Sequence, residues 1–138
     1  MSRYLEHANM SVNDLEKAID FLTTAFPDFR VRGGGDNANG TKWCHLGTDD
    51  FYIALSNREQ PFTGDRQGTY VNHLGFAVDD ADGIRKRLLA AGYKEGYKVE
   101  PQPYRKRIYF IDADGFEWEF VEYLTDDPAK RNDYSQGE

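Results

Sequence analysis

Apolar and polar positions alternate along most of this chain, and where they do not, they fall into helical spacing. From Leu5 to Val12 the side chains alternate, with Ala8, Met10 and Val12 on one parity and His7, Asn9 and Ser11 on the other. This predicts a strand. Asn13 is a suitable helix N-cap with Glu16 three residues on, and Leu15, Ala18, Ile19, Leu22 and Phe26 then recur at helical spacing until Pro27 stops the helix. Residues 32–40 include Gly33-Gly34-Gly35 and read as a flexible loop. Trp43–Leu46 and Phe51–Ser56 read as a hairpin about residues 47–50.

The second half repeats the first. Residues 71–78 predict a strand, Asp80 caps a helix that ends at Gly92, and 105–111 with 116–123 predict a hairpin about Asp112-Ala113-Asp114-Gly115. A further strand is expected near 97–100. The repeat extends to identities. His7 lies over His73, Val12 over Val78 and Leu22 over Leu88 at an offset of 66. Leu46 over Ile111, Asp49 over Asp114 and Phe51 over Phe116 give an offset of 65. The expected organisation is a module at 1–65, a second at 66–125, and a polar C-terminal tail at 126–138.

Parity then separates two faces. Phe51, Ile53 and Leu55, Leu74, Phe76 and Val78, and Phe116, Trp118 and Phe120 form apolar sets expected under the helices. The opposite parity carries Tyr52, Ala54 and Ser56, His73, Gly75 and Ala77, and Glu117, Glu119 and Val121. One greasy face and one small, polar face suggest a curved sheet around a cavity. Two of the chain's three histidines, His7 and His73, stand on that second face at equivalent places, and Glu119 joins them. Two imidazoles and a carboxylate suit one divalent ion, Fe, Mn, Zn, Ni or Co, with positions left for substrate.

Composition narrows the classes. The 138 residues carry 9 Tyr, 9 Phe and 2 Trp, too aromatic for a disordered chain. A net charge of −7 argues against nucleic acid as a partner. No apolar run is long enough to span a membrane, and the N-terminus lacks the apolar stretch of a signal peptide. Cys44 is the single cysteine, so there is no internal disulfide and no cysteine zinc cluster. A cytoplasmic location is expected.

These motifs resemble a known family. His7-x4-Val12-x-Asp14, His73-Leu-Gly-Phe-Ala-Val78-Asp-Asp and Tyr109-Phe-Ile-Asp-Ala-Asp-Gly115-Phe-Glu-Trp-Glu119-Phe look like the vicinal oxygen chelate superfamily of glyoxalases, bleomycin resistance proteins and extradiol dioxygenases. The resemblance covers about residues 4–123, with Ala113 where Pro is usual. It implies an α+β fold: two βαβββ modules forming a cupped mixed sheet with the helices on its outer face. It also implies a homodimer, a small-molecule substrate, and a divalent metal on His7, His73 and Glu119. A fourth ligand position falls at Ala54, whose methyl cannot bind metal.

Tyr109 and Glu119 become the catalytic candidates, and Tyr109, Arg105, Arg107, Tyr52 and Trp43 the substrate-binding ones. His45 falls on the parity opposite to Tyr109 and reads as structural. Glu117 reads as an exposed carboxylate or a base. The implied activity is metal-dependent lyase, isomerase or related chemistry through a stabilised oxyanion. Fe(II) ring cleavage and metal-free antibiotic binding are the alternatives.

Overall fold

The computed structural model describes residues 4–57, 71, 73–133 and 135. The chain divides into two compact units, Met1–Gly64 and Asp65–Glu138.

In the first unit, β1 (His7–Val12) leads into α1 (Leu15–Ala25), followed by β2 (Arg30–Asp36), β3 (Lys42–Gly47) and β4 (Tyr52–Asn57). The strands lie in the order β1-β4-β3-β2, with β1 parallel to β4 and the other pairs antiparallel. Helix α1 packs on β3 and β4. It buries Ala18, Phe21, Leu22 and Ala25, one stripe of an amphipathic helix. Against them lie Leu46, Ile53 and Leu55, all buried. Each fully buried Leu or Phe contributes about 1.5–3 kcal/mol.

Three local readings change. The N-cap is Asp14, one residue later than Asn13, and its carboxylate accepts from the Lys17 N–H at 3.1 Å. The glycine run is a strand, not a loop. Residues 30–36 ladder onto β3, with a bulge between Val31 and Gly33, and the turn moves to 37–41, where the Asn37 N–H donates to the Thr41 carbonyl at 2.7 Å. Glycine is required here by close approach, since a Cβ on Gly34 would stand 2.9 Å from the Trp43 carbonyl oxygen.

The second unit repeats the plan. Here β5 (His73–Ala77) leads to α2 (Ala81–Ala90), β6 (Lys94–Glu95), β7 (Arg105–Ile111) and β8 (Glu117–Tyr123), in sheet order β5-β8-β7-β6. Again the first strand pairs parallel to the last, and the rest are antiparallel. Asp80 caps α2 by accepting from the Gly83 N–H at 2.9 Å, and Gly92 follows the helix at φ +89°. The extra strand lies at 94–95 and not at 97–100.

Between β7 and β8, the Asp112 carboxylate accepts from the Asp114 and Phe116 N–H groups and from the Trp118 indole at 2.9–3.0 Å. The turn thus holds without the usual proline. Burial pushes the Asp112 carboxyl up, against these hydrogen bonds, which pull it down.

The tail contains a short helix, α3 (Pro128–Arg131), capped by Asp127. The Arg131 guanidinium lies 4.2 Å from the Tyr123 ring centroid. No helix among the described residues is long and apolar enough to cross a membrane.

Candidate functional site

The polar face of the second unit brings four of the expected residues together. Glu119 on β8 stands between Gly75 on β5 and Tyr109 on β7, and His73 and Arg107 share its parity on the flanking strands. His73 Nε2 lies 3.1 Å from Glu119 Oε2, across 46 residues of sequence. The His73 ring meets the Tyr109 ring edge-on at 5.6 Å, and Tyr97 meets Tyr109 edge-on at 5.7 Å. Burial first, then the charge and hydrogen bond of Glu119, push the Tyr109 hydroxyl up to about 12. It therefore stays protonated at neutral pH and remains a donor.

Arg107 completes this cluster from its own strand. Nη1 lies 4.0 Å from Glu119 Oε1, at the outer limit of an ion pair, and the side chain is only 9% exposed. Its Nε and Nη2 are sealed from solvent and have no hydrogen-bond partner among the described residues. Leaving buried charged donors unmade costs about 1–3 kcal/mol or more.

Arg105 is held apart, its Nε donating to the Gln102 side chain. Glu117 is neither exposed nor poised as a base. It is 4% exposed and accepts from the Tyr97 N–H at 2.9 Å. A Cβ on Gly96 would stand 2.3 Å from the Glu117 carboxylate, which would have to shift to admit it.

The first unit presents the same face with different chemistry. Tyr52 is stacked between His7, at 4.8 Å, and His45, at 4.5 Å. The Arg32 guanidinium, delivered by the β2 bulge, lies 4.5 Å from the same ring. His7 Nδ1 is also 2.9 Å from Glu6 Oε1. A cavity of about 240 Å³ opens beside Asn9, Asn37, Trp43, His45, Ala54 and Ser56.

His45 is the functional candidate that sequence reasoning set aside. It pairs with Ala54 as Tyr109 pairs with Glu119, so the two occupy equivalent ladder positions. The β3–β4 turn spans 48–51 and the β7–β8 turn 112–116, one residue longer. The true offset before the turn is therefore 64, and His45 shares the face of Tyr52 and Trp43. The differing turn lengths were the available signal.

The donor set fits a divalent ion in part. His73 and Glu119 offer a neutral imidazole nitrogen and a carboxylate at one point, the ligand types that Mn, Fe, Zn, Ni and Co accept. Within each unit, no three His, Cys, Asp or Glu among the described residues form a metal-sized group. The second unit supplies a pair, and His7 belongs to the first.

Comparisons with known proteins agree with this architecture. The chain is 26% identical over 139 residues to a probable trivalent organoarsenical cleaving enzyme of Bacillus subtilis (strain 168), covering 94% of this chain and 86% of that protein. In fold it resembles a glyoxylase/bleomycin resistance protein/dioxygenase domain from Frankia sp. EAN1pec, with a TM-score of 0.75, 22% identity, and 89% and 99% of the two chains covered. It also resembles the fosfomycin resistance protein FosX from Listeria monocytogenes, solved with Mn(II) and sulfate, with a TM-score of 0.69, 22% identity, and 95% and 98% covered. The family model matches residues 4–120, and on that match the chain belongs to the Glyoxalase/Bleomycin resistance protein/Dioxygenase superfamily.

Proposed function

We propose that this chain is a divalent-metal enzyme acting on a small substrate with neighbouring oxygens, by lyase, isomerase or related chemistry through an oxyanion. The observation that carries the reading is the approach of His73 Nε2 to Glu119 Oε2 at 3.1 Å on a face also lined by Tyr109 and Arg107. His73 and Glu119 are the proposed ligands from the second unit, and His7 is the third, assigned from the sequence pattern. When bound, such an ion supplies Lewis-acid stabilisation of developing negative charge on oxygen.

The chain's own groups do the rest. Tyr109, kept protonated, donates its hydroxyl to a substrate oxygen. Tyr97, edge-on to Tyr109, helps to hold that ring in place. Tyr52 and Trp43 of the first unit are further proposed substrate-binding residues, assigned from the sequence pattern, and His45 stands on the same face as both. Arg105 serves, in this reading, at the rim. The protein is read as a cytoplasmic homodimer.

The relative from Bacillus subtilis bears the words "trivalent organoarsenical cleaving". That activity is not carried over. A soft centre such as trivalent arsenic favours thiolates. The one thiol, Cys44, is 4% exposed in the first unit's core, and burial pushes its pKa up.

Reconstitution with Mn(II), Fe(II), Zn(II), Ni(II) or Co(II), followed by elemental analysis, tests the proposal. The native chain is expected to retain one ion, and His7→Ala, His73→Ala and Glu119→Ala are each expected to lose it. Full occupancy in all three variants ends the metal reading.

A further inference from the structure

Two nitrogens of one buried arginine carry an inference about the substrate. Arg107 Nε and Nη2 have no hydrogen-bond partner among the described residues and are buried from water. They are not an arbitrary pair. Nε and Nη2 form the side edge of the guanidinium, two parallel donors spaced for two oxygens of one anion. Arg85 uses this same edge elsewhere in the molecule, with Nε and Nη2 at 2.5 and 3.3 Å from the two carboxylate oxygens of Glu95. In Arg107 the whole fork is unfilled. Glu119 approaches only the other nitrogen, Nη1, at 4.0 Å.

Among the described residues, no carboxylate is hydrogen-bonded to this edge. Opposite Arg107 across the ladder is Val121, and two residues along its own strand is Tyr109. The more accessible side of this face is at His73, whose side chain is 35% exposed. Reaching an anion at that opening would require the Arg107 side chain to change rotamer.

We propose that Arg107 binds an anionic group of the substrate, a carboxylate or a tetrahedral oxyanion such as phosphate, phosphonate or sulfate, through its Nε–Nη2 edge. The group is distinct from the oxygens offered to the metal. This rests on the enzyme reading above and narrows it. The substrate would carry a fixed negative charge within an arginine's reach of its chelating oxygens.

The test uses the full, nitrogen-15-labelled chain with sodium sulfate, inorganic phosphate and sodium acetate as probes. The arginine Nε–H signals are followed by NMR, and the thermal midpoint by calorimetry. The expected result is a saturable shift of one Nε–H signal and a thermal midpoint that rises with the anion. Arg107→Lys keeps the charge without the fork and weakens binding about tenfold, and Arg107→Met abolishes both responses. Sulfate and phosphate binding tighter than acetate assigns a tetrahedral group, and the reverse assigns a carboxylate.

No saturable response to any of the three, or an undiminished response in Arg107→Met, overturns the proposal. Mn(II) binding to the native chain is measured in parallel. Metal binding without an anion response refutes the anion site alone, and an anion response without metal binding refutes the enzyme reading alone.

Discussion

The two units have one plan and two chemistries. Each runs β-α-β-β-β, pairs its first strand parallel to its last, and caps its helix with an aspartate, Asp14 or Asp80. They differ at the centre of the polar face. Where the second unit has Glu119 opposite Tyr109, the first has Ala54 opposite His45. Where β7 continues to Arg107, β3 continues to Trp43. The carboxylate of Glu119 beside the buried guanidinium of Arg107 thus belongs to one copy, and the other holds stacked rings, with Arg32 against Tyr52, and a cavity. Strand pairing and helix packing depend on the opposite, apolar parity. The polar parity was therefore free to diverge without disturbing the fold.

The largest expected effect comes from erasing that difference in the second unit. Glu119→Ala removes half of the converging pair and is expected to weaken Mn(II) binding by about a hundredfold or more, read by equilibrium dialysis. The reciprocal change, Ala54→Glu, places a carboxylate where the first unit has a methyl. It is expected to retain or strengthen metal binding. Because Ala54 is buried, it should also lower stability by about 1–3 kcal/mol in a denaturant titration. Metal loss in Ala54→Glu would break the equivalence of the two positions.

The second unit also carries a pH response of its own at Tyr109. The Tyr109 hydroxyl is pushed from its ordinary value of 10.0 up to about 12 in the folded chain. The folded state then holds a proton that the unfolded state releases first. This contribution is complete below pH 10.0 and is lost as pH rises toward about 12. Tyr109→Phe is expected to flatten the fall of the thermal midpoint across that window.

The smallest effect concerns the caps. Asp14→Ala and Asp80→Ala are each expected to cost about 1 kcal/mol in chemical denaturation. Asn13→Ala is expected to leave the α1 cap bond intact, since the cap sits one residue on.

Much of this was legible because strand parity is a strict rule. His73 and Glu119 could be placed on one face from spacing alone, and the apolar sets Ile53–Leu55 and Trp118–Phe120 fell under the helices as expected. Parity fails where the count changes. One extra residue in the 112–116 turn shifts the repeat by one, which sends His45 to the wrong face on paper. The residues 30–36 looked like a loop because three glycines carry no pattern. Their strand character comes from backbone pairing with β3 and from the close approach of Trp43.

Arg105 and Arg107 share a parity, so sequence could not divide their roles. Burial and the neighbours on the folded sheet do that. Glu117 likewise became structural only when the 96–97 backbone folded over it.

The central claim is that the second unit's His73–Glu119 pair holds a divalent ion. Calorimetric titration of the metal-stripped native chain with Mn(II), beside Glu119→Ala under the same conditions, tests it most directly. The account predicts one ion per native chain and binding weakened by about a hundredfold or more in the variant. Equal binding by the two proteins would contradict it.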